Sequence, residues 1–293
     1  MGLLTALKGV LGSGSKPLGL LDIKKRFRVD TRKAVGSVSE FRIVEDLETK
    51  QRFGLKLLDA KKTEQFRNRF KGLKLPSEGE ISSSVEHPNV CKTIEFGKTT
   101  DGQEYLLLEL LEGRRLDTVI SRDLIKKQTD KYKIISHMGS AIQAVHDAGF
   151  IHRDVCPRNF IFDKAHKHLK LIDFGLSVPN KDEFRQPRNR TGTPLYMAPE
   201  IVRRRATCPK VDVFAFGVSV FELLTGQHPW GTVENTSKSA LLFDSRPPTD
   251  IKELAPELPD KLAKAVHQCL LVNPEKRMNS CKSFLAVTGI TGS

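Results

Sequence analysis

Residues 152–159 read HRDVCPRN, residues 173–175 read DFG, and residues 198–200 read APE. Any one of these short motifs recurs by chance in proteins of this length. Their order, their spacing and the presence of Lys56 in an apolar run upstream argue against coincidence. The three motifs together therefore say more about the fold than any other part of the sequence.

In this order the motifs resemble those of the eukaryotic-type (Hanks-type) serine/threonine protein kinase family. The resemblance covers residues 27–285. It implies an α+β, bilobal protein kinase fold, with a small antiparallel-sheet N-lobe (27–111) that carries one helix and a larger, mainly helical C-lobe (112–285). The other residues are predicted to form an N-terminal appendage, 1–26, and a C-terminal tail, 286–293.

The hydrophobic pattern also indicates a sheet-rich front and a helical back. Apolar runs at 41–44 and 53–58 flank a polar turn, and runs at 90–96 and 105–111 flank a second one, so each pair predicts a hairpin. Apolar residues at helical spacing follow, at 131–148, 211–224 and 262–271.

The resemblance implies an enzyme that transfers the γ-phosphate of ATP to serine or threonine hydroxyls of protein substrates, with ATP and Mg²⁺ between the lobes. Phosphoryl transfer needs charge neutralisation and alignment more than covalent chemistry. Asp173 and Asn159 would supply oxygen ligands to Mg²⁺. Asp154 would accept or orient the proton of the attacking hydroxyl, and Lys56 would hold the α- and β-phosphates.

Further positions match the family's ATP site. An acidic partner for Lys56 is expected on the next helix, where the spacing to the HPN turn at 87–89 favours Glu78 over Glu80. Leu108 stands at the gatekeeper position, directly before the hinge. The ATP-binding residues that the resemblance implies are Gly36, Phe41, Gly54, Lys56, Glu78, Leu108, Glu109, Leu111 and Ile161.

The phosphate-covering loop departs from the family pattern. Its three glycine positions fall on Ala34, Gly36 and Ser39, so one glycine remains. Phe41 and Gly54 replace the usual valine and alanine, an exchange that roughly conserves volume. Two interpretations stay open: the two changes compensate each other, or Phe41 occupies the adenine pocket as in some pseudokinases.

The catalytic loop is also unusual. Cys156 stands where serine/threonine kinases usually carry a lysine, which removes a cation from the γ-phosphate, and Arg158 is expected to substitute for it in part. Because Arg153 and Arg158 flank Cys156, we expect the pKa of its thiol to be lowered, and a small side chain that fills a buried space is the alternative interpretation. Asp212 matches the family aspartate that fixes the backbone of this loop.

The segment before APE predicts the substrate class and a mode of regulation. GTPLYMAPE, residues 192–200, resembles the serine/threonine peptide-binding signature, in which Thr193 bridges Asp154 to the substrate side. Arg153 marks kinases whose activation segment is ordered by a phosphate paired with that arginine. Thr191 is the candidate hydroxyl for this phosphate, and an activation segment that is ordered without modification is the alternative.

The net charge and the cysteines limit the possible partners and the location of the protein. The chain has 48 Lys and Arg against 35 Asp and Glu, a net charge of +13, but no nucleic-acid-binding motif, so no nucleic-acid partner is expected. Five widely spaced cysteines without a CxxC pair predict a reducing, cytoplasmic location. Residues 3–11 carry apolar side chains at helical spacing, which predicts a short amphipathic helix. We expect this helix to dock on the domain, and disorder of the segment or its contact with a membrane are the alternatives.

A pseudokinase that acts as a scaffold or a nucleotide-sensing module is the alternative function. The sequence retains Lys56, Asp154, Asn159 and Asp173. A chain freed from catalysis would have no chemical reason to keep all four residues. An active kinase is therefore the favoured interpretation.

Overall fold

The structure is a computed structural model. Two features of the sequence analysis lie outside the residues that it describes: Gly36 and the predicted amphipathic segment near the N-terminus. The described residues are 20–35, 39–163, 168–187, 191–231 and 241–291. The chain divides into two compact units. The first unit holds the residues up to Lys71, Pro76–Glu86 and Cys91–Leu111, and the second holds Gly72–Leu75, His87–Val90 and the residues from Glu112 onward.

An antiparallel five-stranded sheet forms most of the first unit. Its strands are β1 (Phe27–Val35), β2 (Ser39–Asp46), β3 (Arg52–Leu58), β4 (Thr93–Lys98) and β5 (Glu104–Glu109). Their spatial order is β1-β2-β3-β5-β4. Both predicted hairpins are confirmed, because β2 pairs with β3 and β4 pairs with β5.

The turn between β2 and β3 depends on Asp46. One oxygen of its carboxylate accepts hydrogen bonds from the backbone N–H groups of Glu48 and Thr49, each at 3.0 Å. A side chain that caps its own turn in this way sets where the chain reverses. The reversal fixes the register in which Val44 pairs with Phe53.

The two faces of β3 have different roles because successive side chains alternate across a strand. Phe53, Leu55 and Leu57 belong to the main hydrophobic core of the first unit. Gly54 and Lys56 therefore lie on the opposite face of the sheet.

Within the described residues, the first unit contains three α-helices, one of which is the helix predicted before the HPN turn. They are α1 (Ile23–Arg26), α2 (Ala60–Arg67) and α3 (Glu78–Ser83), the last being the predicted one. Asp22 and Asp59 begin α1 and α2 by accepting hydrogen bonds from backbone N–H groups in the first turn.

Residues 20–26 pack into the first unit, so the prediction that they belong to an appendage is wrong for this part. Leu21 is buried and joins the core. Its N–H donates to the carbonyl of Lys98 at 2.8 Å, and its carbonyl accepts from the N–H of Thr100 at 3.0 Å. These hydrogen bonds hold the segment against the turn that joins β4 to β5.

Helices dominate the second unit, and the three predicted at 131–148, 211–224 and 262–271 are confirmed. Its helices are α4 (Leu116–Ser121), α5 (Gln128–Asp147), α6 (Pro199–Val202), α7 (Lys210–Thr225), α8 (Leu242–Ser245), α9 (Ile251–Leu254), α10 (Asp260–Cys269) and α11 (Cys281–Thr288). Its strands are β6 (Gly113–Arg115), β7 (Phe150–Ile151), β8 (Phe160–Asp163), β9 (His168–Leu171) and β10 (Val178–Pro179).

Two features of these helices bear on the predictions. Helix α11 runs past the predicted domain end at residue 285 to Thr288, where the left-handed backbone of Gly289 lets its N–H donate to the carbonyl of Leu285. No helix in the described ranges combines the length and the hydrophobicity that crossing a bilayer requires.

Candidate active site

In the first unit, the strand register places four predicted ATP-binding residues on one face of the sheet. Lys56 pairs with Phe41 of β2, and Gly54 pairs with Leu108 of β5. Directly paired residues share a face, and so do residues two apart on one strand. We call the surface formed by Phe41, Gly54, Lys56 and Leu108 the nucleotide face.

Lys56 forms a buried ion pair with Glu78. Its Nζ lies 2.5 Å from Glu78 Oε1, and the two side chains are 10% and 9% exposed. The competing carboxylate, Glu80, accepts hydrogen bonds from the backbone N–H and the hydroxyl of Ser77, at 2.7 and 2.8 Å. The structure therefore pairs Lys56 with Glu78 and uses Glu80 in the capping box that begins α3.

The end of β5 carries the predicted hinge residues. Leu108, Glu109 and Leu111 are half-buried. The N–H of Glu109 donates to the carbonyl of Lys92 at 3.0 Å, and the Glu109 carboxylate accepts from the N–H of Lys92 at 2.7 Å. This double contact ties the hinge backbone to the chain that leads into β4.

In the second unit, Asp154 lies at the centre of a hydrogen-bond network. Its Oδ1 accepts from the N–H and the hydroxyl of Thr193, at 2.8 and 2.6 Å. Its Oδ2 accepts from Asn159 Nδ2 at 2.9 Å and from an Arg158 guanidinium nitrogen at 3.2 Å. The structure thus places three predicted site residues around Asp154, of which the sequence analysis linked only Thr193 to this carboxylate.

Asp212 holds the backbone of this loop in place. Its carboxylate accepts from the N–H groups of His152 and Arg153, both at 2.8 Å, and Nε2 of His146 lies 2.8 Å away. Burial opposes ionisation of Asp212, but the contacts with His146 and the backbone outweigh it and lower the pKa of the carboxyl. An ionised Asp212 stabilises the left-handed backbone of Arg153, whose φ is 68°.

Asn159 and Asp173 fit a magnesium site. Both hydrogen bonds that Asn159 Nδ2 donates go to Asp154, which leaves the amide oxygen as the atom that can bind a cation. The N–H of Ile172 donates to the carbonyl of Asn159 at 2.9 Å, so Asp173 follows directly beside it. Within the described ranges, no three His, Cys, Asp or Glu side chains form a metal cluster. Mg²⁺ commonly takes only one or two protein oxygens and completes its shell with phosphate and water.

The prediction that the pKa of Cys156 is lowered is wrong. Burial and the neighbouring Asp154 carboxylate raise the pKa of this thiol to about 12, and Arg158 offsets only part of that increase. The side chain is fully buried, with Sγ 3.7 Å from the Thr193 hydroxyl. Cys156 is therefore a packed, protonated thiol at neutral pH.

Three further predicted site residues, Ile161, Arg153 and Thr191, lie in the second unit. Ile161 is half-buried in β8, where it pairs with Lys170 of β9. Arg153 and Thr191 are both buried. Gly192 beside Thr191 has a φ of 127°, and a Cβ there would lie 2.8 Å from the carbonyl of Arg153, so only glycine fits this contact.

The sequence analysis did not identify the contact between Tyr196 and Glu222. The Tyr196 hydroxyl donates to the Glu222 carboxylate at 2.6 Å. Burial raises the pKa of Glu222 to about 7, although the hydrogen bond from Tyr196 acts in the opposite direction. A glutamate in the mostly apolar C-terminal half of α7 is the signal that could have found this pair.

We expect Glu222 to make the unfolding free energy fall as pH rises from 4.5 to 7. The unfolded carboxyl loses its proton near its ordinary pKa of 4.5, whereas the folded one keeps it until about 7, so rising pH favours the unfolded state in that range. At ~1.4 kcal/mol per pH unit, the loss over this range is at most about 3.5 kcal/mol. Glu222→Gln should remove this part of the pH dependence in denaturant unfolding at pH 5 and pH 8. An identical pH dependence in the variant would contradict the assignment.

The first unit thus carries a lysine paired with a glutamate, and the second unit carries an anchored aspartate and two oxygen donors that suit a cation. The protein kinase domain family matches residues 34–287 of the chain. The chain therefore belongs to the protein kinase family.

Several curated relatives are similar to this chain. Ribosomal protein S6 kinase alpha-2 of Homo sapiens is 32% identical over 211 residues, which cover 72% of this chain and 28% of that protein. Ribosomal protein S6 kinase alpha-6 of Danio rerio is 34% identical over 166 residues, 56% of this chain and 22% of that protein. Hormonally up-regulated neu tumor-associated kinase homolog A of Xenopus laevis is 31% identical over 249 residues, 83% of this chain and 35% of that protein. The chain thus spans about a third or less of the length of these relatives.

Proposed function

We propose that this chain transfers the γ-phosphate of ATP to serine or threonine hydroxyls of protein substrates. The observation that carries the proposal is the set of donors around Asp154. Thr193 holds one carboxylate oxygen while Asn159 and Arg158 hold the other, so the carboxylate has a single orientation. A group that accepts or orients the proton of an attacking hydroxyl needs such fixed geometry.

The other residues take the roles that their chemistry allows. Lys56, held by Glu78, would bind the α- and β-phosphates as a compact cation. Asp173 and Asn159 would hold Mg²⁺, which neutralises charge on the phosphates when it is bound. Arg158 would supply a cation near the γ-phosphate in place of the lysine that Cys156 replaces.

The substrate class and location rest on further observations. The two hydrogen bonds between Thr193 and Asp154 support the serine/threonine interpretation of the peptide-binding segment. The relatives' names describe S6 kinases, which supports protein substrates for this chain as well. All five cysteines are free thiols, which supports a reducing compartment such as the cytoplasm.

A phosphotransfer assay tests the proposal. The purified chain, given Mg²⁺ and ATP with a mixture of serine-, threonine- and tyrosine-containing peptides, should form phosphoserine or phosphothreonine. Asp173→Asn should lower the rate by ~10²-fold or more, because it removes a charged oxygen ligand. A wild-type chain that binds ATP but transfers no phosphate would instead be a nucleotide-binding scaffold.

We further propose that phosphorylation of Thr191 regulates the enzyme. In this structure the Thr191 hydroxyl is buried and has no hydrogen-bond partner among the described residues. A phosphate there would pair with the cationic Arg153 and would require the segment to rearrange. Mass spectrometry after incubation with ATP should find phosphate on Thr191, and Thr191→Ala should be less active. A fully active preparation with unmodified Thr191 would contradict this mechanism.

A further inference from the structure

The loop that follows α7 carries a histidine whose two ring nitrogens both have partners. Gly226 ends α7 with a left-handed backbone, at φ 74°, and the chain continues through His228 to Trp230. Nδ1 of His228 lies 3.3 Å from the backbone nitrogen of Trp230, and Nε2 lies 3.0 Å from the carbonyl oxygen of Leu195. A backbone N–H donates and a carbonyl accepts, so these partners assign the tautomer: Nδ1 accepts and Nε2–H donates.

Leu195 lies in the segment that resembles the family's peptide-binding signature. Two backbone hydrogen bonds, at 2.9 and 3.3 Å, close a turn over residues 193–197, which we call the peptide-binding turn. The Leu195 carbonyl accepts instead from His228, 33 residues further along the chain. A long-range contact therefore holds the middle of a turn that is otherwise closed by its own backbone.

We propose that His228 is a positioning residue for protein substrates: its Nε2–H holds the Leu195 carbonyl and keeps the peptide-binding turn in the conformation that binds the substrate chain. We call this hydrogen bond the histidine tether. The inference rests on the proposed function, because it requires that the turn contacts a protein substrate. It assigns His228 an effect on substrate affinity rather than on the chemical step.

The surroundings of His228 hold its ring in this orientation. The rings of Tyr196, Trp230 and Phe243 lie around it, with centroids 6.4, 5.7 and 5.6 Å from its own. The indole N–H of Trp230 donates to the carbonyl of Arg246 at 2.9 Å, so this neighbour is itself fixed. Burial lowers the pKa of His228, so at neutral pH the ring is neutral and keeps one nitrogen that accepts and one that donates.

The histidine tether lies between two other anchors of the peptide-binding turn. Thr193 donates twice to the Asp154 carboxylate, and the Tyr196 hydroxyl donates to the Glu222 carboxylate. Leu195 lies between these anchored residues in the sequence. Loss of the tether leaves the contacts of Thr193 with Asp154 in place, so we expect it to weaken substrate binding more than it slows the chemical step.

Three substitutions of His228 separate its two hydrogen bonds. His228→Gln places an amide NH₂ near the position of Nε2, so it keeps a donor for the Leu195 carbonyl and loses the acceptor at Nδ1. His228→Asn places an amide oxygen near the position of Nδ1, where it accepts from the N–H of Trp230 two residues on, but it is too short to reach Leu195. His228→Ala removes both contacts. Gln227→Ala, at an exposed position of the same loop, is the matched control.

Steady-state kinetics on the full chain test the tether. The substrates are Mg²⁺-ATP and the peptide that the wild type phosphorylates fastest in the mixture described above. We expect the KM for the peptide to rise by about 3- to 10-fold in His228→Asn and His228→Ala, the change that one neutral hydrogen bond commonly makes. His228→Gln and Gln227→Ala should stay within about 2-fold of the wild type, and kcat and the KM for ATP should do so in all four variants.

Hydrogen exchange gives a second measurement, which needs no phosphotransfer. The N–H groups of Tyr196 and Met197 close the peptide-binding turn. Their exchange, followed by mass spectrometry, should be about 3- to 10-fold faster in His228→Asn and His228→Ala and unchanged in His228→Gln. Trp230 is the single tryptophan of the chain, so the wavelength of its emission, together with thermal unfolding, checks that the loop and the fold are intact.

Several results would overturn the inference. They are a wild-type KM for the peptide in His228→Asn, a His228→Gln variant as impaired as His228→Ala, equal rises of the KM values for peptide and ATP, and turn exchange that no variant changes. If His228→Ala does not fold, the comparison of asparagine with glutamine still decides. A wild type that phosphorylates the peptide while the variants depart from the expected order would refute the tether and keep the proposed function. Exchange in the expected order with no phosphorylated peptide would refute the proposed function and keep the tether as a contact that orders the turn.

Discussion

Asp154→Asn should lower phosphotransfer by ~10²-fold or more, the loss expected for a general base. The hydrogen bonds around Asp154 give a second reason to expect lower activity in this variant, besides the lost charge. The Asp154 contacts described above all come from donors, on both carboxylate oxygens. An asparagine carries one NH₂ group, which must face a donor of either Thr193 or Asn159. The substitution therefore disturbs the geometry as well as removing the charge.

Turnover under saturating Mg²⁺ and ATP is the measurement, with thermal unfolding to check the fold. Thr193→Val is the matched control, because it removes the hydroxyl that donates at 2.6 Å and keeps the backbone N–H that donates at 2.8 Å. Its activity should fall less than that of Asp154→Asn, since the charge remains and one oxygen loses one of two donors. Equal turnover in Asp154→Asn and the wild type, with both folded, would exclude Asp154 as the proton-handling residue.

Only part of the catalytic loop is held by local contacts, because Thr193 reaches Asp154 from 39 residues along the chain. Arg158 and Asn159 follow Asp154 within five residues, and a single turn at Pro157–Asn159 folds both side chains back onto the Asp154 carboxylate. The hairpins were predictable for a similar reason. A polar turn between two apolar runs brings neighbouring strands together, and the register then follows from the turn.

Burial is the property that the sequence pattern did not show. The two arginines near Cys156 favoured a lowered pKa, but desolvation and Asp154 dominate once the thiol is fully buried. Glu222 and Tyr196 lie 26 residues apart, and nothing local indicates that the two side chains meet. Sequence reasoning also left open where the Phe41 ring lies, because residue volumes constrain a pair of substitutions without saying which space each side chain fills.

Lys56→Met should also lower phosphotransfer by ~10²-fold or more, because it removes a cation that acts on the phosphates in the transition state. It should be less stable as well. Glu78 is 9% exposed, so the variant leaves a buried carboxylate without the Lys56 ammonium. Removing one partner of a buried ion pair commonly costs about 3–5 kcal/mol, and pairs that keep some exposure cost less.

Stability and activity can be separated by changing the second partner too. In Lys56→Met/Glu78→Gln both charges are gone, so the unfolding free energy should return toward the wild-type value while phosphotransfer stays low. Glu78→Gln alone keeps the phosphate-binding ammonium but loses the carboxylate that holds it at 2.5 Å, so its activity should lie between those of the wild type and Lys56→Met. Denaturant unfolding and turnover measured on the four proteins test this order. If the double variant regained activity together with stability, Lys56 would be a structural residue and its loss of function would follow from misfolding alone.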